Sequence, residues 1–231
     1  MSTASTVSYT VLSPGRVPIK SWVPDLDERT LAQATNLSNL PFATRHVALM
    51  PDAHAGYGMP IGGVLFAERA VVPYAIGVDI GCGVALAETD LTVEKLGRDV
   101  LHRTLAEIAT RVPTGTSAQP FKVDREAALA EIGMPVPESI DIAWLERALN
   151  QLGTLGSGNH FLEIQADDEG RIFVMLHSGS RSLGKTICDA FHKQALRENT
   201  LWHSALPDPE LAYLPVGTEG HAGYWAAMSF A

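Results

Sequence analysis

The hydrophobic pattern changes period along the chain. Residues 7–12 and His46-Val47-Ala48-Leu49-Met50 are apolar stretches of strand length, and the second runs straight into PDAHAGYGMPIGGV, where glycine or proline interrupts every few residues. Val64-Leu65-Phe66, 75–78 and 84–89 read as further short strands, each set off by Gly-rich turns. Residues 27–37 predict a short helix with Asp25 or Asp27 as its cap. From Thr92 the period lengthens. Leu96, Val100, Leu101, Leu105, Ile108 and Val112 fall on one face of a single helix that starts at Thr92 and stops at Pro113. A Gly/Thr/Pro loop over 113–123, helices over 124–132 and 141–152, a hairpin, and helices from 183 to about 199 and over 220–231 complete the run. The pattern predicts a mixed α/β (α+β) fold in which closely packed strands gather their loops at one end, within a single domain over 1–231.

Composition narrows the class. With 46% hydrophobic and 19% charged residues in 231, the chain is too apolar for disorder to be its main state. No stretch approaches the roughly 20 unbroken apolar residues of a bilayer crossing. The opening MSTASTVSYTVLSP has neither a basic leader nor an apolar signal core. Two cysteines, Cys82 and Cys188, are too few for a disulfide framework, so a cytoplasmic, non-membrane protein is expected. A net charge of -9, from 17 Lys+Arg against 26 Asp+Glu, argues against broad electrostatic binding of nucleic acid while leaving room for a local basic groove.

Four sets of residues carry candidate chemistry. Residues 160–166 and 171–177 flank the turn Asp167-Asp168-Glu169-Gly170. A turn centred between Asp168 and Glu169 places His160 opposite His177, where two imidazoles could hold a metal. A bulge at Gly170 would slip the register by one and send them to opposite faces, and two strand-end histidines bonded to backbone is the alternative reading. In Gly77-Val78-Asp79-Ile80-Gly81-Cys82-Gly83, a carboxylate and a thiol can converge on one point, a donor set that suits a first-row divalent ion; a tight turn with a structural cysteine explains it as well. Gly156-Ser157-Gly158-Asn159 and the helix-opening SGSRSLGK offer N–H groups, hydroxyls and Arg181 to a phosphate, without P-loop spacing. Asp52 and His54 follow a strand, where they would support a ligand from behind or form part of a substrate loop, or Asp52 would simply cap the turn.

In order, MPDAHAGYGMPIGGV, GVDIGCGV, LGTLGSGNHFLEI and LHSGSRSLG resemble the motifs of the RtcB-type RNA-splicing ligases. That resemblance implies an α/β fold with layered sheets, Gly-rich active-site loops and flanking helices. It implies GTP- and Mn²⁺-dependent joining of RNA 3′-phosphate or 2′,3′-cyclic phosphate ends to 5′-hydroxyl ends through a guanylylated histidine. Cys82 would bridge two metal ions, with Asp79 and His160 on one and His177 on the other. Asn159, His160, Phe161, Leu162 and Glu163 would contact the guanylate, and Asp52, His54 and Arg181 would line the reaction cleft, Asp52 and Arg181 as catalytic residues. Expected partners are RNA and an accessory activating protein. The resemblance places the nucleophilic histidine in a C-terminal portion that matches nothing here. The expectation is therefore the N-terminal portion of the family fold, ending in an uncapped apolar helix at 220–231. A metal-dependent phosphodiesterase or a non-catalytic fragment built on the same half-site is the alternative.

Overall fold

The computed structural model describes residues 8–231. Its fold is mixed α/β, as expected, and forms two compact units: the described residues up to Val78 with Cys188–Trp225, and Asp79–Ile187 with Ala226–Ala231.

The first unit opens with β1 (Thr10–Leu12), antiparallel to β2 (Ile19–Ser21). Val7, expected in this strand, lies outside the described residues. Helix α1 (Glu28–Ser38) then crosses over, so that β2 pairs in parallel with β3 (Ala43–His54). Asp27 starts α1 by accepting from the Thr30 amide and hydroxyl. β4 (Ile61–Ala67) returns antiparallel and completes the sheet order β1-β2-β3-β4. Strand alternation in β3 turns Val47 and Leu49 inward, where they pack with Ile19, Ala34, Leu37 and Leu40, all fully buried. Each such aliphatic side chain contributes roughly 1.5–3 kcal/mol by leaving water.

After β5 (Ala70–Val71), residues 75–78 do not form the expected strand. Pro73 sits in the first turn of a short helix, α2 (Pro73–Ile76), its ring preset for helical φ, and Gly77 ends the turn at φ 101.

The second unit holds β6 (Gly83–Thr92). The single helix expected from Thr92 is two. Thr92 caps α3 (Val93–Leu96), Gly97 takes a positive φ of 61 that breaks the helix, and α4 (Arg98–Arg111) follows with no buried residue. The two expected helices form as α5 (Arg125–Ile132), capped by Asp124, and α6 (Ile142–Leu149), capped by Asp141 and ending three residues short of the expected 152. α6 buries Leu145 and Leu149. β7 (Phe161–Ala166) and β8 (Arg171–Ser178) make the hairpin, and the sheet order is β6-β8-β7.

The chain returns to the first unit through α7 (Arg181–Leu201), whose residues from Cys188 onward belong there. A 3₁₀ turn at Pro209–Leu211 and β9 (Leu214–Pro215), paired with β5, lead into α8 (Glu219–Phe230). Among the described residues no helix is long and apolar enough to cross a membrane.

Candidate metal centre

The hairpin register differs from the expected one. Ala166 pairs with Ile172 and Phe161 with His177, one residue out of step with a turn centred between Asp168 and Glu169. Gly170 supplies the extra residue: it adopts φ 78, its N–H donates to the Asp167 carbonyl, and the Asp167 amide donates to the Arg171 carbonyl. Within a regular pleat this slip would put His160 and His177 on opposite faces. It does not, because His160 precedes β7 and is free of the pleat. The two rings lie with centroids 5.5 Å apart.

Pairing of β6 with β8 brings in the second segment. Gly83 faces Ser178 and Val84 faces His177, which sets the turn carrying Asp79 and Cys82 beside the histidines. The Cys82 Sγ is 2.9 Å from His177 Nε2, and His160 Nε2 is 2.7 Å from Asp79 Oδ2. Ligand atoms of Asp79, Cys82 and His160 all fall within 4.8 Å of one another. Two glycines make the crowding possible. A Cβ at Gly179 would collide with the Asp79 carboxylate, and one at Gly156, itself at φ 104, would collide with His160 and Arg181.

The protonation logic of His160 is informative. Its side chain is 4% exposed, against 34% for Asp79. Its Nδ1 lies 3.0 Å from the Leu155 carbonyl, a group that can only accept, so the ring proton belongs on Nδ1. The Ser178 hydroxyl donates to the same oxygen at 2.9 Å. A neutral His160 therefore aims the Nε2 lone pair at a carboxylate oxygen, an opposition that only a proton or a cation between them relieves. Burial first, then the hydrogen bond and charge of Asp79, push the Cys82 thiol above its ordinary value. A bound cation would reverse that balance and hold the thiolate. The residues present thus fit a divalent ion: carboxylate, thiol and imidazole donors, with one imidazole oriented from behind by backbone.

Arg181 opens α7 at a positive φ of 57. Its Nε donates to the Thr154 hydroxyl at 3.1 Å and its Nη2 to the Gly115 carbonyl at 2.7 Å, and its Nη1 lies 3.4 Å from His160 Nδ1. The 113–123 loop is fastened to this frame, since the Gly115 amide donates to the Gly156 carbonyl and the Leu155 amide to the Pro113 carbonyl. The buried Gln151 adds its own links, accepting from the Ser182 amide and donating to the Thr116 carbonyl. Residue patterning had not singled out Thr154, Gln151 or Leu155. The motif LGTLGSGNH contained two of them, but its glycines drew attention to phosphate rather than to the support of His160.

Of the residues expected around a guanylate, Asn159 and Glu163 are exposed, Leu162 is half-buried and Phe161 stands edge-on to His177 with centroids 5.3 Å apart. Asp52 and His54 belong to the first unit, exposed at the end of β3, where His54 Nδ1 contacts the Asp52 carbonyl at 2.8 Å.

Comparison with known proteins bears on this geometry. The family model described as tRNA-splicing ligase RtcB matches residues 33–231. The RNA-splicing ligase RtcB of Escherichia coli (strain K12) is 36% identical, across 97% of this chain and 59% of its own. The tRNA-splicing ligase RtcB of Nanoarchaeum equitans is 30% identical, across 93% of this chain and 55% of its own. The RNA-splicing ligase RtcB of Mycobacterium bovis is 34% identical, across 86% and 57%. The chain thus spans between half and three-fifths of the length of these relatives.

Proposed function

The chain belongs to the RtcB family, and from that premise we propose that it carries the metal- and guanylate-handling part of an RNA ligase. The reaction that this part serves is GTP- and Mn²⁺-dependent joining of RNA 3′-phosphate or 2′,3′-cyclic phosphate ends to 5′-hydroxyl ends, in the cytoplasm and with an accessory activating protein, the guanylylated histidine not being among the residues matched here. The supporting observation is the opposition of His160 Nε2 and Asp79 Oδ2 at 2.7 Å, with the His160 proton committed to the Leu155 carbonyl. Such a pair, next to a Cys82–His177 contact, is a donor set arranged for cations.

Asp79, Cys82 and His160 would hold one ion, and Cys82 with His177 a second. Bound divalent ions neutralise charge on phosphoryl oxygens. The protein's own part is orientation. Leu155 fixes the face that His160 presents. Thr154 and Gly115 hold the Arg181 guanidinium, a planar donor suited to a phosphate. Residues 159–163 run past the cluster as the guanylate contact.

The test combines metal content with nucleotide transfer. The chain should take up Mn²⁺ or Co²⁺, with a sulfur-to-cobalt charge-transfer band that Cys82→Ala removes. With labelled GTP, no adduct stable to denaturation is expected, since no residue matches the nucleophilic histidine. Unchanged metal content in Cys82→Ala would overturn the site. Hydrolysis of a cyclic phosphate without any adduct would assign the phosphodiesterase instead, and metal uptake with no reaction on RNA ends would leave a non-catalytic fragment.

A further inference from the structure

The outer face of the β1-β2-β3-β4 sheet combines features that chain-wide charge had hidden. Register carries Val11, Lys20, Ala48 and Val64 across all four strands, on the side opposite the buried Ile19, Val47 and Leu49. Alternation adds Trp22, His46 and Phe66 to that side. Tyr9, just before β1, packs on Trp22 with ring centroids 4.9 Å apart. Tyr9 is 47% exposed and Phe66 46%. Each carries a cation on its ring: Lys20 Nζ is 5.3 Å from the Tyr9 centroid, and the Arg45 guanidinium carbon is 4.6 Å from that of Phe66.

Arg45 reaches this position at a cost. It lies in the irregular stretch of β3 between Ala43 and Val47 and takes a φ of 61, strained for a side chain of its kind. Bulges of this sort re-aim a side chain. Burial, and then the charges of Lys20 and Arg45, hold the His46 imidazole below its ordinary value. Val11, Lys20, Trp22, His46, Val64 and Phe66 carry no acidic group, and the acidic Asp52 lies beyond them at the far end of β3, in a chain with 26 acidic against 17 basic residues.

We propose that this face docks single-stranded RNA, with bases stacking on the Tyr9–Trp22 pair and on the Arg45–Phe66 layer, and phosphates meeting Lys20 and Arg45. Exposed aromatic rings and guanidinium planes on a sheet are stacking surfaces for unpaired bases, and the cations complement the backbone. The stacked bases of a duplex could not use the rings. The proposal rests on the ligase reading for the presence of RNA, and deepens it by giving the substrate a seat in the first unit.

The test is fluorescence anisotropy of a short labelled oligouridine with a 3′-hydroxyl, in EDTA and without nucleotide, across a salt series. Phe66→Ala and Arg45→Gly should each weaken binding about tenfold or more. Arg45→Gly relieves the positive φ, so its melting temperature should hold or rise and weakened binding cannot be blamed on unfolding. Lys20→Ala should lower the slope of log affinity against log salt by about 0.7. No binding by the native chain, binding indifferent to Phe66→Ala and Arg45→Gly, an equal loss in Phe121→Ala of the second unit, or equal affinity for a duplex would each overturn the platform. Metal uptake through Cys82 is read separately. Its persistence alongside indifferent RNA binding rejects the platform alone, and its absence alongside platform-dependent binding rejects the ligase reading alone.

Discussion

Gly156 and Gly158 offer a matched pair of substitutions that separates backbone strain from crowding at the metal centre. Both have positive φ, 104 and 76, so alanine at either carries a backbone penalty of about 1–2 kcal/mol. Around Gly158 nothing lies within 4 Å of a built Cβ, whereas at Gly156 that atom would collide with the His160 ring and the Arg181 guanidinium. Relief at Gly156 requires moving one of them. Moving Arg181 strains its bonds to Thr154 and Gly115, and moving His160 strains its bond to Leu155; a hydrogen bond to a charged group is worth about 1.5–3 kcal/mol. Gly156→Ala should therefore cost about 2.5–5 kcal/mol in total, a fall in melting temperature of about 5–20 °C, and weaken metal binding by about 10–100-fold through misoriented His160. Gly158→Ala should lose only about 2–8 °C and keep metal affinity within about twofold. Cobalt titration followed by absorbance, paired with thermal unfolding followed by circular dichroism, measures both. Equal metal affinity in the two variants would refute the reasoning, since it would show that the space Gly156 leaves has no bearing on His160.

Other outcomes follow from the same structure. Cys82→Ala should lower cobalt affinity at least about 100-fold and make its pH dependence shallower, since loss of the thiol proton on binding adds about a tenfold rise in apparent affinity per pH unit below the thiol pKa, leaving only the protons that the histidines release. Burial holds the His192 imidazole below its ordinary value against the opposing charges of Glu210 and Asp189, so the folded state keeps the ring neutral and the unfolded chain binds the proton. Its contribution to stability is complete above about pH 6.5 and lost as the pH falls toward the depressed value. His192→Phe, which preserves the stack on Tyr74, should flatten the decline in urea midpoint between neutral and mildly acid pH; an unaltered slope would contradict the assignment. Leu37→Ala, at a fully buried position beneath β3, should destabilise by about 2–5 kcal/mol, and a loss under about 1 kcal/mol in urea unfolding would show that this core is not packed as described.

What could be read from sequence was local. Caps at Asp27 and Thr92 depend on a side chain and an amide three residues away, and both were legible, whereas Asp124 and Asp141 were legible only as the starts of helices that they turn out to cap. The break at Gly97 was not, because the apolar spacing of Leu96, Val100 and Leu101 continues through it while only a backbone angle changes. Pro73 decided the form of residues 73–76 against their strand-like composition. At the metal centre, the hairpin brought His160 and His177 together on grounds that proved wrong in register and right in outcome, since His160 escapes the pleat. Cys82 reaches His177 only through β6–β8 pairing, across 95 residues of sequence, a contact that no local pattern encodes. The basic face of the first sheet was invisible for the same reason. Lys20 and Arg45 are far apart in sequence and come onto one sheet only once β2 and β3 are laid side by side.

The Leu155 carbonyl has a consequence for how this centre can be studied. One main-chain oxygen accepts from both His160 and Ser178, and no side-chain substitution deletes it. A mutational scan would score position 155 by its half-buried leucyl group and find it tolerant of other apolar residues, silent about the atom that sets the histidine's tautomer. Chemical ligation reaches what the genetic code does not: glycolic acid in place of Gly156 turns the Leu155 carbonyl into a weaker ester acceptor while leaving every side chain in place. The orientation of the metal-facing imidazole is in that sense inherited from the path of the backbone, and drift in side chains around it can proceed without disturbing it.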